Sequence, residues 1–307
     1  MEEILQLFPE SIRKMIDNQT LHRRHLLQEI RVRMFHPIEL IFDGHAVWLD
    51  KTVPDRRDTM HILNRISEFS LYRMEDELRE GYVTIEGGHR IGLAGKVNTV
   101  NGSVKAIQHI AFFNIRIAKQ RIGCASKLMP YLHQKSYFNT LIAGPPQSGK
   151  TTLIRDVVRL ISSGWGHTAA QKVGIVDERS EIAGSKKGVP QHDVGRRTDV
   201  MDACPKAEGM MMMIRSMSPE ILAVDEIGSK ADVNALMEAI NTGVTIICTI
   251  HGKDLQELKQ RPSLQVLFQA NIFQRIVFMD RHQKPGNIRR ICTQNGETIP
   301  MKTGVFK

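Results

Sequence analysis

Eight consecutive residues, Gly144, Pro145, Pro146, Gln147, Ser148, Gly149, Lys150 and Thr151, follow the spacing G-x-x-x-x-G-K-[ST]. Glycines let such a loop bend so that successive backbone N–H groups point inward, an arrangement that holds the oxygens of a polyphosphate. A helix starting near Lys150 directs the positive end of its dipole at the same point. The Lys150 ammonium suits the β- and γ-phosphates, the Thr151 hydroxyl suits a magnesium ligand, and Thr152 completes the run of candidate nucleotide contacts. The chemistry implied is binding of a nucleoside triphosphate with Mg²⁺.

Downstream, the apolar run Ile221-Leu222-Ala223-Val224 ends in two carboxylates, Asp225 and Glu226. An aspartate in that position can hold the water shell of a magnesium ion, and the glutamate beside it can polarise a water for attack on the γ-phosphate. Hydrolysis, rather than binding alone, is implied. Glu178, in Val176-Asp177-Glu178-Arg179-Ser180-Glu181, is a second candidate for positioning water or metal; a solvated charge cluster is the competing reading. His251 directly follows the apolar run 244–250, where it can sense the γ-phosphate or couple hydrolysis to movement. A lone histidine more often serves as a structural hydrogen-bonding group.

These residues need rigid elements to hold them. Apolar runs at 140–143, 173–177, 221–224 and 244–250 alternate with helical patterns at 151–162, 210–217 and 231–242. Such alternation implies a parallel sheet with helices on its faces and the candidates at the strand ends. The runs 276–279 and 288–292 could close that sheet with an antiparallel pair. Residues 1–135 read as a smaller α+β domain. Its elements are a helix over 3–16, strands at 30–34, 38–42 and 46–49 with an Asp43-Gly44 turn, and a helix over 67–79. Strands follow at 82–86, 90–97 and 109–117, with a turn at Asn101-Gly102, and then a helical stretch at 125–134. Two domains are therefore expected, 1–135 and 136–307.

The formal charge of +9 over 307 residues, with pI ≈ 9.5, attracts acidic partners without naming one. Four scattered cysteines lack zinc spacing and read as reduced thiols of a cytosolic protein. No apolar run approaches the ~18 residues of a bilayer span, so work at a membrane requires other chains. Lys186-Lys187 and Arg196-Arg197 bracket 188–195, which reads as a long mobile loop where nucleic acid would bind if it does. His22-Arg23-Arg24-His25 adds charge without neighbouring aromatic residues. The four methionines Met210 to Met213 read as core packing on a helix.

In order and content these blocks resemble the secretion-ATPase group, hexameric P-loop enzymes that drive type II and type IV secretion and pilus assembly. The likeness covers residues 139–252, with Glu178 in the place of that group's acidic box, 215–226 in its second nucleotide block and Thr249-Ile250-His251-Gly252 in its histidine box. Taken whole, the chain is similar to the stage III sporulation AA family. The resemblance implies a RecA-like (ASCE) P-loop core, ATP and Mg²⁺ as ligands, and catalytic work for Lys150, Glu178, Glu226 and His251. It implies a ring-shaped homo-oligomer, with ATP between subunits and an arginine of the neighbour completing the site; Arg90, Arg116, Arg196 and Arg197 are candidates. It further implies a cytoplasmic, mother-cell protein held by an integral membrane protein of a channel complex joining mother cell and forespore. The chain departs from the group in carrying Asp225 where glycine is usual and Ser229-Lys230 where Arg-Asp is usual. A nucleic-acid-binding P-loop ATPase is the alternative reading, supported by the basic charge. A nucleotide switch without turnover is a third, disfavoured by the Asp225-Glu226 pair.

Overall fold

The computed structural model describes residues 1–68, 78–79, 81–100, 103–281 and 286–301. The chain divides into two compact units, Met1–Lys119 and Gln120–Lys307. The division thus falls ahead of the boundary expected at residue 135, because the intervening segment packs with the second unit. Ala125, Leu128, Met129 and Leu132 are buried in one cluster with Ile142, Leu153 and Val157. The Asp156 carboxylate fixes the same segment by accepting the N–H groups of Gly123 at 3.1 Å and Ala125 at 2.8 Å.

Among the described residues of the first unit, six strands form an antiparallel sheet in the order β3-β2-β1-β6-β5-β4. They are β1 (Leu27–Arg33), β2 (Ile38–Phe42), β3 (His45–Leu49), β4 (Tyr82–Thr84), β5 (Arg90–Val100) and β6 (Ser103–Arg116). Asp43 (φ 47°) and Gly44 (φ 87°) make the two-residue turn between β2 and β3, with Phe42 opposite His45. The helix expected over 3–16 is two helices, α1 (Glu2–Leu5) and α2 (Glu10–Thr20). Pro9 separates them, since it has no N–H to donate and disfavours helical backbone in the residue before it. A helix the sequence reading passed over, α3 (Arg56–Ile66), opens on a capping box of Asp55 and Asp58 and buries Ile62, Leu63 and Ile66 in the core. Most of the helix expected over 67–79, and the Asn101-Gly102 turn, lie outside the described residues.

The second unit is built on β7 (Thr140–Gly144), β8 (Val173–Asp177), β9 (Thr198–Asp202), β10 (Ile221–Val224), β11 (Thr245–His251), β12 (Arg275–Asp280) and β13 (Asn287–Cys292). Their order is β13-β12-β7-β11-β10-β8-β9, and every pairing is parallel except the closing β12–β13 pair. β7, β8 and β10 are buried along their whole length, as a sheet covered on both faces requires. The expected helix over 125–134 contracts to one turn, α4 (Met129–Leu132). Next come α5 (Lys150–Ser163), α6 (Lys206–Met217) and α7 (Lys230–Asn241). α5 packs Val157 and Ile161 against Ile142, Ile175 and Ala223 on one face of the sheet. On the opposite face, α6 and α7 bring Met210, Met213 and Leu236 against Leu141, Val176 and Leu222. Met212, on the outer side of α6, is 54% exposed, so the methionine run divides as helical geometry dictates. α7 opens on a capping box: Ser229 Oγ accepts the Asp232 N–H at 3.0 Å, and Asp232 Oδ2 accepts the N–H groups of Gly228 and Ser229 at 3.0 and 2.9 Å.

The basic loop expected to swing freely over 188–195 is instead tied to the body. The N–H groups of Gln191 and His192 bond to Ala183 O, Val194 is buried, and Gly195 (φ 91°) lies against α5. A Cβ at Gly195 would sit 1.8 Å from Ser162 Oγ and 2.7 Å from Arg159 O. Gly195→Ala is therefore expected to destabilise the chain by about 2–4 kcal/mol, combining left-handed backbone strain with overpacking. The measurement is the shift in urea midpoint, and an unchanged midpoint would show that the loop is not held. No helix among the described residues is long and apolar enough to cross a membrane.

Candidate functional site

Strand order brings distant parts of the sequence to one edge. β11 lies between β7 and β10, so the turn after β7, the end of β11 and the acids after β10 meet at the C-terminal ends of three adjacent parallel strands. His251 pairs in register with Gly144, and Cys248 pairs with both Leu141 and Val224. Thr249, one residue further, stands between the 144–151 loop and Asp225.

The loop has the form its sequence implies. Gly149 (φ 94°) takes left-handed backbone immediately before α5. At Gly144 a Cβ would lie 2.7 Å from Ser148 Oγ and 3.1 Å from Met279, so no side chain fits. Ser148 Oγ is buried and has no hydrogen-bond partner among the described residues. Lys150 Nζ donates to Pro145 O at 3.1 Å and lies 3.1 Å from His251 Nδ1. Burial of the Lys150 ammonium draws its pKa below the usual lysine value, opposed by the charges of Asp225, Glu226 and Glu181.

Both oxygens of Asp225 are engaged by hydroxyls. Thr151 Oγ1 donates to Oδ2 at 2.7 Å, and Thr249 Oγ1 donates to Oδ1. The same Thr249 hydroxyl accepts the Glu226 N–H at 2.8 Å, and Thr249 O accepts the Ile227 N–H at 3.0 Å. Glu226, held in left-handed backbone (φ 53°), has Oε1 2.8 Å from His251 Nε2 and Oε2 3.1 Å from Arg179 Nη1. A neutral His251 that accepts from Lys150 at Nδ1 and donates to Glu226 from Nε2 satisfies both contacts. A polar chain thus runs Lys150–His251–Glu226–Arg179 along an open cleft of about 470 Å³. Gln147, Thr151, Thr152 and Glu181 also line it.

Behind the cleft, Asp177 clamps the segment that carries Glu178 and Arg179. Its carboxylate accepts the N–H groups of Glu181, Ile182 and Ala183 at 2.8, 3.0 and 2.8 Å. Burial nevertheless pushes its pKa up to about 6, outweighing those donors, with nearby Asp202 adding to the rise. Arg155 Nε donates to Ile182 O from below. Glu178 turns away from Lys150: it pairs with Lys206 and borders a smaller cavity with Asp177, Asp225 and Glu226. The structure therefore brings Lys150, Thr151, Thr152, Glu226 and His251 to one cleft, ties Asp225 to it through Thr151, and sets Glu178 beside it. Arg179 and Thr249, which the sequence shows only as members of longer blocks with no role of their own, join the site here. Of the arginines considered as donors to a neighbour, Arg197 bonds to Ala170 O, and Arg90 stacks 3.4 Å over the Tyr82 ring, opposite Arg116 in the sheet of the first unit.

The donor set fits a magnesium nucleotide. An unpartnered buried hydroxyl, a loop with no room for side chains at Gly144 and left-handed at Gly149, a buried ammonium and a hydroxyl bonded to a carboxylate are the groups such a ligand takes.

The family profile described as "Sporulation stage III, protein AA" matches residues 1–299. The stage III sporulation protein AA of Bacillus subtilis (strain 168) is 49% identical to this chain over 99% of each sequence. The uncharacterized protein ycf45 of Porphyra purpurea is 24% identical, over 86% of this chain and 43% of the relative. Among solved structures, the pilus retraction motor PilT with bound ADP matches with a TM-score of 0.62 at 18% identity, over 94% of this chain and 83% of PilT. The ATPase DotB of Legionella pneumophila matches with a TM-score of 0.60 at 15% identity, over 88% of this chain and 76% of DotB. At those identities the likeness is one of fold: an α/β core on a mostly parallel sheet together with an antiparallel sheet unit.

Proposed function

We propose that this chain, which belongs to the sporulation stage III, protein AA family, hydrolyses ATP with Mg²⁺ and delivers the resulting conformational work to a membrane channel complex between mother cell and forespore. The carrying observation is the 2.7 Å bond from Thr151 to Asp225, which links the phosphate loop to the acidic strand end across β11, with Glu226 the next residue. In this reading Gly144 to Thr152 hold the triphosphate and Lys150 neutralises its charge. Thr151 and Asp225 hold the magnesium, which when bound withdraws charge from the phosphoryl oxygens. Glu226 orients the attacking water and accepts its proton, and His251 fixes the Glu226 carboxyl. Glu178, paired with Lys206 beside Asp225, shapes the acidic wall near the metal.

Work on a partner needs an oligomer able to convert local closure into movement. The fold shared with a pilus retraction motor supports the motor reading; in that reading the oligomer is a hexameric ring, cytoplasmic on the mother-cell side and anchored through an integral membrane protein. Specific ATPase activity is expected to rise with protein concentration, in step with a hexamer seen by sedimentation velocity. Turnover independent of concentration, by a protein that stays monomeric, would sink the ring reading. Stimulation by single-stranded DNA that fades with salt, in place of stimulation by the membrane partner, would favour the nucleic-acid ATPase instead.

A further inference from the structure

We propose that Arg179 is a γ-phosphate sensor supplied by the chain itself. Without a triphosphate it holds Glu226 Oε2; with ATP bound it moves onto the terminal phosphate and leaves that oxygen free to orient water. The inference rests on the reading of the cleft as an ATP site.

The stem of this residue is fixed. Asp177 anchors the following three N–H groups from Glu181 to Ala183, Ser180 Oγ donates to Asp202 Oδ1 at 2.6 Å, and Asp177 O accepts the Ala203 N–H at 2.9 Å. The head is not fixed. The Arg179 side chain is 60% exposed, and among the described residues its hydrogen bond is a single-point contact to Glu226 through Nη1. It lines the same cleft as Lys150 and Thr151, so the guanidinium is a cation already placed beside the phosphate loop.

Glu226, for its part, cannot orient a water through both oxygens in this arrangement, because His251 occupies one and Arg179 the other. An exposed, one-point ion pair is a weak tether. A terminal phosphate carries more charge than a carboxylate and presents oxygens that match the guanidinium fork, so the exchange runs toward the phosphate. The result couples arrival of the third phosphate to release of the group that activates water. ADP lacks that phosphate and leaves the pair closed.

The test compares binding of ADP and of the β,γ-imido analogue of ATP, by calorimetry, to wild type, Arg179→Ala and Arg179→Lys. Arg179→Ala is expected to weaken the analogue by about tenfold or more while leaving ADP within about twofold, and Arg179→Lys to recover part of the loss. Equal effects on both nucleotides, or none, overturn the sensor and leave Arg179 as a plain surface ion pair. If wild type binds neither nucleotide, the reading of the cleft itself fails, and the two failures are told apart. Should Arg179→Ala lose its native melting transition, the lysine variant carries the comparison alone: selective weakening of the analogue supports the sensor and its absence overturns it.

Discussion

Glu226→Gln is expected to lower kcat for ATP by about 10³-fold while leaving ATP affinity within a few fold. That loss corresponds to about 4 kcal/mol of transition-state stabilisation. Glutamine keeps the volume and a hydrogen-bonding oxygen, so the backbone contact to Thr249 and the packing around the strand end survive. What disappears is the charge that polarises water and takes its proton. Single-turnover hydrolysis beside equilibrium binding of a non-hydrolysable analogue separates the two effects. If Glu226→Gln retains more than about a tenth of the activity, water activation lies elsewhere, and Glu178 on the adjoining cavity becomes the group to replace.

The second large effect falls on binding. Lys150→Ala removes the ammonium buried at the head of α5 and is expected to weaken ATP by about 10²-fold, through loss of charge-assisted hydrogen bonds to phosphate. The fold should not suffer with it. Burial already disfavours the charged form of Lys150, so its removal relieves a desolvation penalty in the ligand-free protein. The expected pattern is an unchanged or slightly raised melting temperature without nucleotide, together with loss of the rise that ATP produces in wild type. A lowered melting temperature without ligand would make Lys150 a structural residue and remove the basis for assigning it to phosphate.

The 144–151 loop was legible as a candidate because its eight residues are contiguous and lie between a strand and a helix that are strongly periodic. The Asp225-Glu226 pair was legible for the same reason, as an apolar run that stops abruptly in acid. Thr249 was not, because its role depends on β11 lying between β7 and β10, an order that the chain does not announce. Glu178 and Arg179 show how finely orientation matters at the end of a strand. The acid was the natural candidate, yet the turn at Ser180 (φ 51°) and the Asp177 clamp send Glu178 toward Lys206 and Arg179 into the cleft. β9 escaped notice because Thr198–Asp202 is a half-buried edge strand, polar enough to read as loop. Pro9 overrides the good apolar pattern over 3–16, and the buried side chains of the 120–135 segment belong with the second unit, which its sequence texture does not reveal.

Three residues separate Glu226 from α7, and each joint along the way is pinned. Ile227 is buried and its N–H is bonded to Thr249 O, while Gly228 and Ser229 both donate to Asp232 in the first turn of the helix. In engineering terms this is a linkage without backlash. A shift at the strand end finds no slack in a floppy connector; it is passed to a helix of 12 residues, about 18 Å long at 1.5 Å per residue, whose inner face is packed on the sheet through Leu236.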